Sequence, residues 1–145
     1  NLIKKKKIKI KNNNFLKKEL IKPTKIYVKE IIKLNEKSYL NGCANITGGG
    51  LKENIKRIIP KGLCASINLN KIITLNIFNW LKNSGISDNE MLKTFNCGVG
   101  FCIIINPKNL KIIKKYFPKK YEPYVIGKVI KYSKKVKLSG KISWK

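Results

Sequence analysis

The stretch Cys43-Ala44-Asn45-Ile46-Thr47-Gly48-Gly49-Gly50-Leu51 joins a short apolar run to a helical pattern through three consecutive glycines. After the Asn41-Gly42 turn, Cys43 to Ile46 reads as a short buried strand. Beyond the glycines, Leu51, Ile55, Ile58 and Ile59 fall at i, i+4, i+7 and i+8, the spacing of an amphipathic helix, and Pro60-Lys61-Gly62 stops it. Three glycines remove every Cβ from the turn, so backbone N–H groups can close on an anion. The helix behind them directs its positive dipole end and unpaired N–H groups to the same place. A phosphate-bearing ligand suits this unit, and so does a tight turn of packed glycines; both readings stay open. No Gly-Lys-Ser/Thr follows, so it is not a Walker loop.

Outward from this unit, helical and strand patterns mix. Pro23 disfavours helix at Lys22, and Tyr27, Val28, Ile31, Ile32 and Leu34 form a stripe that predicts a helix near 25–37. Leu63, Ala65, Ile67 and Leu69 alternate with more polar residues, a half-buried strand. A helix near 74–83, capped by Thr74, turns Phe78 and Leu81 inward and ends before Gly85. Ser87 and Glu90 form a capping box opening a helix that runs to about Thr94. A second glycine cluster, Thr94-Phe95-Asn96-Cys97-Gly98-Val99-Gly100, leads into a strand over Gly98 to Ile105. Alternating glycines in a strand mark a bulge or close approach by backbone or ligand, and Asn96 could offer an amide to a substrate. Asn106-Pro107 supplies an N-cap and N1 proline to a helix with Leu110, Ile113 and Phe117 on one face. Tyr124 to Lys131 and Val136 to Ile142 are the closing strands. The order predicts an α+β layered domain.

At 145 residues the chain fits one domain with a real core. Its longest apolar run, Phe101 to Ile105, is too short to cross a bilayer, and no apolar stretch follows the N-terminal lysines as a signal peptide requires. No membrane partner and a soluble cytoplasmic protein are the expectation. The net charge of +26 invites a nucleic-acid reading. Yet Lys, Ile and Asn make up about half of the chain while Arg57 is its only arginine, and phosphate or base contacts should retain Arg. An A+T-rich coding sequence explains all three excesses, so the charge is read as inherited composition, with incidental polyanion binding at low salt and no specific nucleic-acid partner. Cys43, Cys64, Cys97 and Cys102 lack zinc-finger spacing and the chain has no His, which argues against a structural zinc site. Cys64, Cys97 and Cys102 read as small buried hydrophobes, and Cys43 lacks an evident base to make it a nucleophile. Glu19, Glu30, Glu36, Glu53, Asp88, Glu90 and Glu122 form no metal-binding or acid/base constellation.

Several blocks resemble one family. Pro23-Thr24-Lys25-Ile26-Tyr27-Val28-Lys29, Ala44 to Leu51, Glu53-Asn54-Ile55 with Arg57, Thr94 to Gly100 and Tyr124-Val125-Ile126-Gly127 follow, in order, motifs of the C-terminal half of phosphoribosylformylglycinamidine cyclo-ligase (aminoimidazole ribonucleotide synthetase). The resemblance implies a three-layer α/β/α domain with helices packed on a mixed sheet. It implies residues 1–22 as a linker and remnant of a preceding region, 23–145 as the domain, and an absent N-terminal ATP-binding domain. The implied reaction is ATP-dependent closure of the imidazole ring: ATP activates the formyl oxygen of formylglycinamidine ribonucleotide, an amidine-side nitrogen attacks, and phosphate leaves. ATP and Mg2+ would be bound mainly by the missing half, the complete enzyme would be a homodimer, and the isolated fragment would be inactive. By the same resemblance Thr47, Gly48, Gly49 and Gly50 would bind a phosphate or ribosyl-phosphate group. Asn96, Gly98 and Gly100 would line the groove, and Arg57 would hold an anion or a structural carboxylate. Asn45 stands where the family usually has His; an amide hydrogen-bonds but cannot shuttle a proton near neutral pH. Competing readings are a related ATP-dependent enzyme (formylglycinamidine ribonucleotide synthetase, selenophosphate synthetase or thiamine-phosphate kinase type) and, from charge alone, a basic RNA-binding protein.

Overall fold

The computed structural model describes residues 13–144, so residues 1–12 of the expected linker, with the N-terminal lysines, lie outside the described residues. Among the described residues the chain forms six α-helices and five strands. In order they are α1 (Asn14–Leu20), α2 (Val28–Glu36), β1 (Leu40–Asn45), α3 (Gly50–Ile58), β2 (Leu63–Asn68), α4 (Asn76–Asn83), α5 (Asp88–Thr94), β3 (Phe101–Ile105), α6 (Leu110–Lys114), β4 (Gly127–Lys131) and β5 (Val136–Ser139). The fold is α+β, as predicted. Residues 13–22 include α1, started by Asn13, whose side chain accepts from Leu16 N at 2.9 Å, and Leu16 itself is fully buried.

The mixed sheet is three-stranded. β2 lies at its centre, antiparallel to β4 (Leu63 opposite Lys131, Ile67 opposite Gly127) and parallel to β5 (Ala65 opposite Val136, Asn68 opposite Ser139). A central strand is covered on both faces, and Cys64, Ala65 and Ile67 are all buried, more than a simple alternation predicts. β1 and β3 pair separately and antiparallel, Cys43 opposite Ile103 and Asn45 opposite Phe101, with an irregularity between Leu40 and Gly42.

Helix α3 connects these parts, packing on β1, on β5 and on α5. Its apolar stripe does the work: Leu51 and Ile55 and the following Ile59 are 2%, 4% and 1% exposed and join Ala44, Ile67 and Met91 in one core. Each such side chain taken out of water contributes about 1.5–3 kcal/mol before entropy is counted.

Several boundaries differ from the sequence reading for local reasons. Thr74 does not cap α4; the helix opens at Asn76 after an extended Leu75, with no side-chain cap. The capping box of α5 is half made: Ser87 Oγ accepts from Glu90 N at 3.2 Å, while the Glu90 carboxylate accepts from Thr94 Oγ1 at 2.7 Å. Strand β3 starts at Phe101, because Cys97 and Gly98 adopt positive φ (51° and 101°) and turn the chain first. Asn106 caps a 3-10 turn (Pro107–Asn109) that runs into the short α6, which ends before Phe117. β4 begins at Gly127, and β5 ends before Gly140, another left-handed residue.

Candidate functional site

The β1–β3 ladder places both glycine clusters at one end of the pair. Past the Asn45–Phe101 register, Ile46 N donates to Gly100 O at 3.0 Å, so the Thr47–Gly50 loop leaves the ladder beside the Cys97–Gly100 turn. The loop closes through Gly50 N donating to Thr47 O at 3.1 Å. Gly49, with φ 92°, is the N-cap of α3 and carries no side chain to occupy the first-turn N–H groups. Thr47 and Gly48 are exposed, Gly49 is half-buried and Gly50 is buried. Among the described residues the N–H groups of Gly48 and Gly49 donate to no protein atom. The loop therefore faces solvent with a helix dipole behind it and donors unspent, the electrostatic arrangement that favours an anion.

The glycines of the two clusters do different work. A side chain at Gly48 would meet open space, whereas a Cβ on Gly50 would collide with the Leu92 carbonyl in α5 and crowd that of Phe95. Gly98 lies against the Ile73–Leu75 backbone, where a Cβ would stand 2.6 Å from Ile73 O, and Gly100 leaves the notch filled by the Tyr27 hydroxyl. Gly50, Gly98 and Gly100 thus serve close packing; Gly48 is the open one, and Gly49, left-handed, lies with its Cα side against the Glu53 stem, where a Cβ would stand 3.1 Å from Glu53 Cβ. Asn96, expected to offer its amide to a substrate, spends its Oδ1 on accepting from Gly98 N at 3.0 Å. Arg57 is not brought to the loop. It is exposed in the last turn of α3, at the end remote from the glycines, and makes no ion pair among the described residues, so the structural-carboxylate role is not seen.

Two residues that the sequence reading left without a role stand out. Asn54 is 5% exposed, and its Nδ2 donates to Gly50 O (2.8 Å), Gly48 O (3.2 Å) and Thr47 O (3.4 Å) while Oδ1 accepts from Thr47 Oγ1 (3.4 Å). Its signal was an amide on the apolar stripe of α3, where a polar side chain must find partners. Tyr27 stacks near Phe101 (centroids 5.2 Å apart) and, with Thr24, Lys25, Asn45 and Phe101, lines an open cavity of about 400 Å³. Burial raises the Tyr27 pKa, so the phenol stays protonated at neutral pH. Lys25 Nζ donates to Glu30 at 2.7 Å, holding that carboxyl below its usual range, and lies over the rings of Tyr27 and Tyr121 at 5.7 and 5.2 Å. Asn45 is exposed and opens onto this cavity.

Three of the four thiols are kept from acting as nucleophiles. Burial pushes Cys97 up to about 11 and Cys102 up to about 12, and Cys64 is fully buried. Cys43 and Cys102 are both half-buried, but burial holds the Cys102 thiol in its protonated form, so only Cys43 is expected to react promptly with a thiol reagent such as Ellman's in the native protein, with all four titrating in denaturant; prompt release of two or more equivalents would contradict that difference.

Comparison with known proteins agrees with this architecture. The family described as "AIR synthase related protein, C-terminal domain" matches residues 2–138, and the chain belongs to that family. It is 42% identical over 124 residues to the phosphoribosylformylglycinamidine cyclo-ligase of Thermodesulfovibrio yellowstonii, covering 82% of this chain and 35% of that protein. It is 43% identical over 120 residues to the enzyme of that name from Clostridium botulinum (strain 657 / Type Ba4), covering 82% and 36%. Similarity extends to the trifunctional purine biosynthetic protein adenosine-3 of Chironomus tentans, 42% identical over 114 residues, 77% of this chain and 8% of that one. The chain spans about a third of the length of the cyclo-ligases it matches.

Proposed function

We propose that this domain supplies the C-terminal half of the active-site groove of an ATP-dependent cyclo-ligase of purine biosynthesis, one that closes formylglycinamidine ribonucleotide to aminoimidazole ribonucleotide. The carrying observation is the loop before α3, where the N–H groups of Gly48 and Gly49 donate to no protein atom among the described residues, in a chain whose matched relatives bear that enzyme's name. In this reading Thr47 to Gly49 hold a phosphoryl or ribosyl-phosphate group by backbone donors, as helix N-termini do. Mg2+ prefers several oxygen ligands, and the described residues hold no cluster of three or more acidic, His or Cys groups. Such an ion would therefore take its ligands mainly from substrate phosphates and from the rest of the enzyme. ATP, Mg2+ and the rest of the groove belong to the remaining part of such an enzyme, with the homodimer and a cytoplasmic location as part of the same proposal.

The test is a chimera. Residues 23–145 replace the matching third of an active cyclo-ligase, and ATP-dependent ring closure is assayed by purine-auxotroph growth and by product formation. Growth and turnover support the reading; a folded, ATP-binding chimera with no ring closure would sink it. In the same chimera Asn45→His is expected to change kcat by less than about threefold, since Asn45 already offers a hydrogen-bonding amide at the cavity. A rise of tenfold or more (about 1.4 kcal/mol) would instead assign proton transfer to that position.

A further inference from the structure

We infer that Asn54 is a positioning residue for the anion loop, a template that turns the loop's carbonyls inward and so leaves its N–H groups outward. The inference rests on the phosphate-holding role proposed for the loop. An amide nitrogen has two hydrogens, and three carbonyls of this loop converge on Asn54 Nδ2 at 2.8, 3.2 and 3.4 Å. Those carbonyls belong to Thr47, Gly48 and Gly50, the segment whose opposite face would meet the ligand. Side chains on a helix lean towards its N-terminus, so the position four residues after Gly50 is the one that can reach back under the turn.

Position 54 suits this task for three reasons. The residue is buried, so its bonds are not exchanged for water. Thr47 Oγ1 donates to its Oδ1 at 3.4 Å, which sets which end of the amide faces the carbonyls. And Gly48 and Gly49 contribute no side chains of their own, so apart from the Gly50 N to Thr47 O bond it is Asn54 that holds the loop's carbonyls. Without the amide the Gly48 carbonyl, which has no other partner among the described residues, is free to rotate outward, and an outward carbonyl repels an anion where an N–H attracts it.

The test uses the whole chain and inorganic pyrophosphate as probe, at salt high enough to screen its many lysines, following the backbone amide resonances of Gly48 and Gly49. Wild type is expected to show saturable shifts at these two amides. Asn54→Ala is expected to weaken pyrophosphate binding about tenfold or more. Asn54→Ser, which keeps a shorter donor, should fall between them and serves if the alanine variant does not fold. Ile55→Val loosens the neighbouring buried position of the same helix without touching the loop, and it should lower the melting temperature while leaving binding within about twofold. Equal affinity in the Asn54 variants and wild type would overturn the positioning role while leaving the phosphate reading intact. Equal losses in Ile55→Val and the Asn54 variants would reduce Asn54 to general stability. No saturable response in wild type would remove the phosphate reading itself, and this inference with it.

Discussion

Gly50→Ala is expected to destabilise the domain by about 3–5 kcal/mol, enough to unfold much of a typical small domain's margin. Two effects act together. The residue has φ 60°, a left-handed conformation that adds about 1–2 kcal/mol for any residue with a Cβ. The new methyl then points at the Leu92 carbonyl of α5, which is backbone and cannot step aside as a flexible side chain would. Relief requires α3 to move off α5, dragging Leu51 and Ile55 from the core. Urea denaturation monitored by far-UV circular dichroism checks it, with Gly48→Ala as the partner measurement. That position has open space around it, and the change should stay within about 0.5 kcal/mol. Equal midpoints for the two variants would mean that Gly50 does not seat α3 against α5.

The second large effect runs the other way, on activity without stability. Gly48→Asp, in an active cyclo-ligase carrying this domain, is expected to fold as wild type does and to lose about 100-fold or more in kcat/KM. A side chain at Gly48 meets nothing, so the fold accepts it, but the carboxylate enters the space where the proposed phosphate sits. Gly48→Ala, equally accommodated and uncharged, should lose far less. Matched losses in the two variants would point to shape rather than charge, and no loss in either would move the phosphate away from this loop. Together the two glycine experiments separate packing from binding within a single tripeptide.

Much of this architecture was legible in the residues. The α3 stripe, its stop at Pro60, β2 and the Ser87 cap are local features, set by periodicity and by side chains within a few positions, and they appear where the pattern put them. What escaped the sequence is contact at a distance. Nothing near Gly98 says that its Cα will lie on the Ile73–Leu75 backbone, so the turn there read as strand. Gly100 looked like a groove-lining residue until the Tyr27 hydroxyl occupied its notch. Asn96 looked like a free amide because its partner, Gly98 N, depends on a positive φ that a sequence does not print. Asn54 is the converse case: its polarity on an apolar face was visible, and the carbonyls that satisfy it were not. The family blocks identified the loop, and the packing divided its glycines by task.

The seating of α3 against β1, β5 and α5 has a thermodynamic corollary. The helix that begins at the loop also carries the core stripe, so the loop's geometry exists only while that helix is seated. Any oxyanion gripped by Gly48 and Gly49 is then a ligand of the native state as a whole, and mass action should convert its occupancy into resistance of the entire domain to heat and to proteases. Substrate supply would in this way set the lifetime of the polypeptide as well as its turnover.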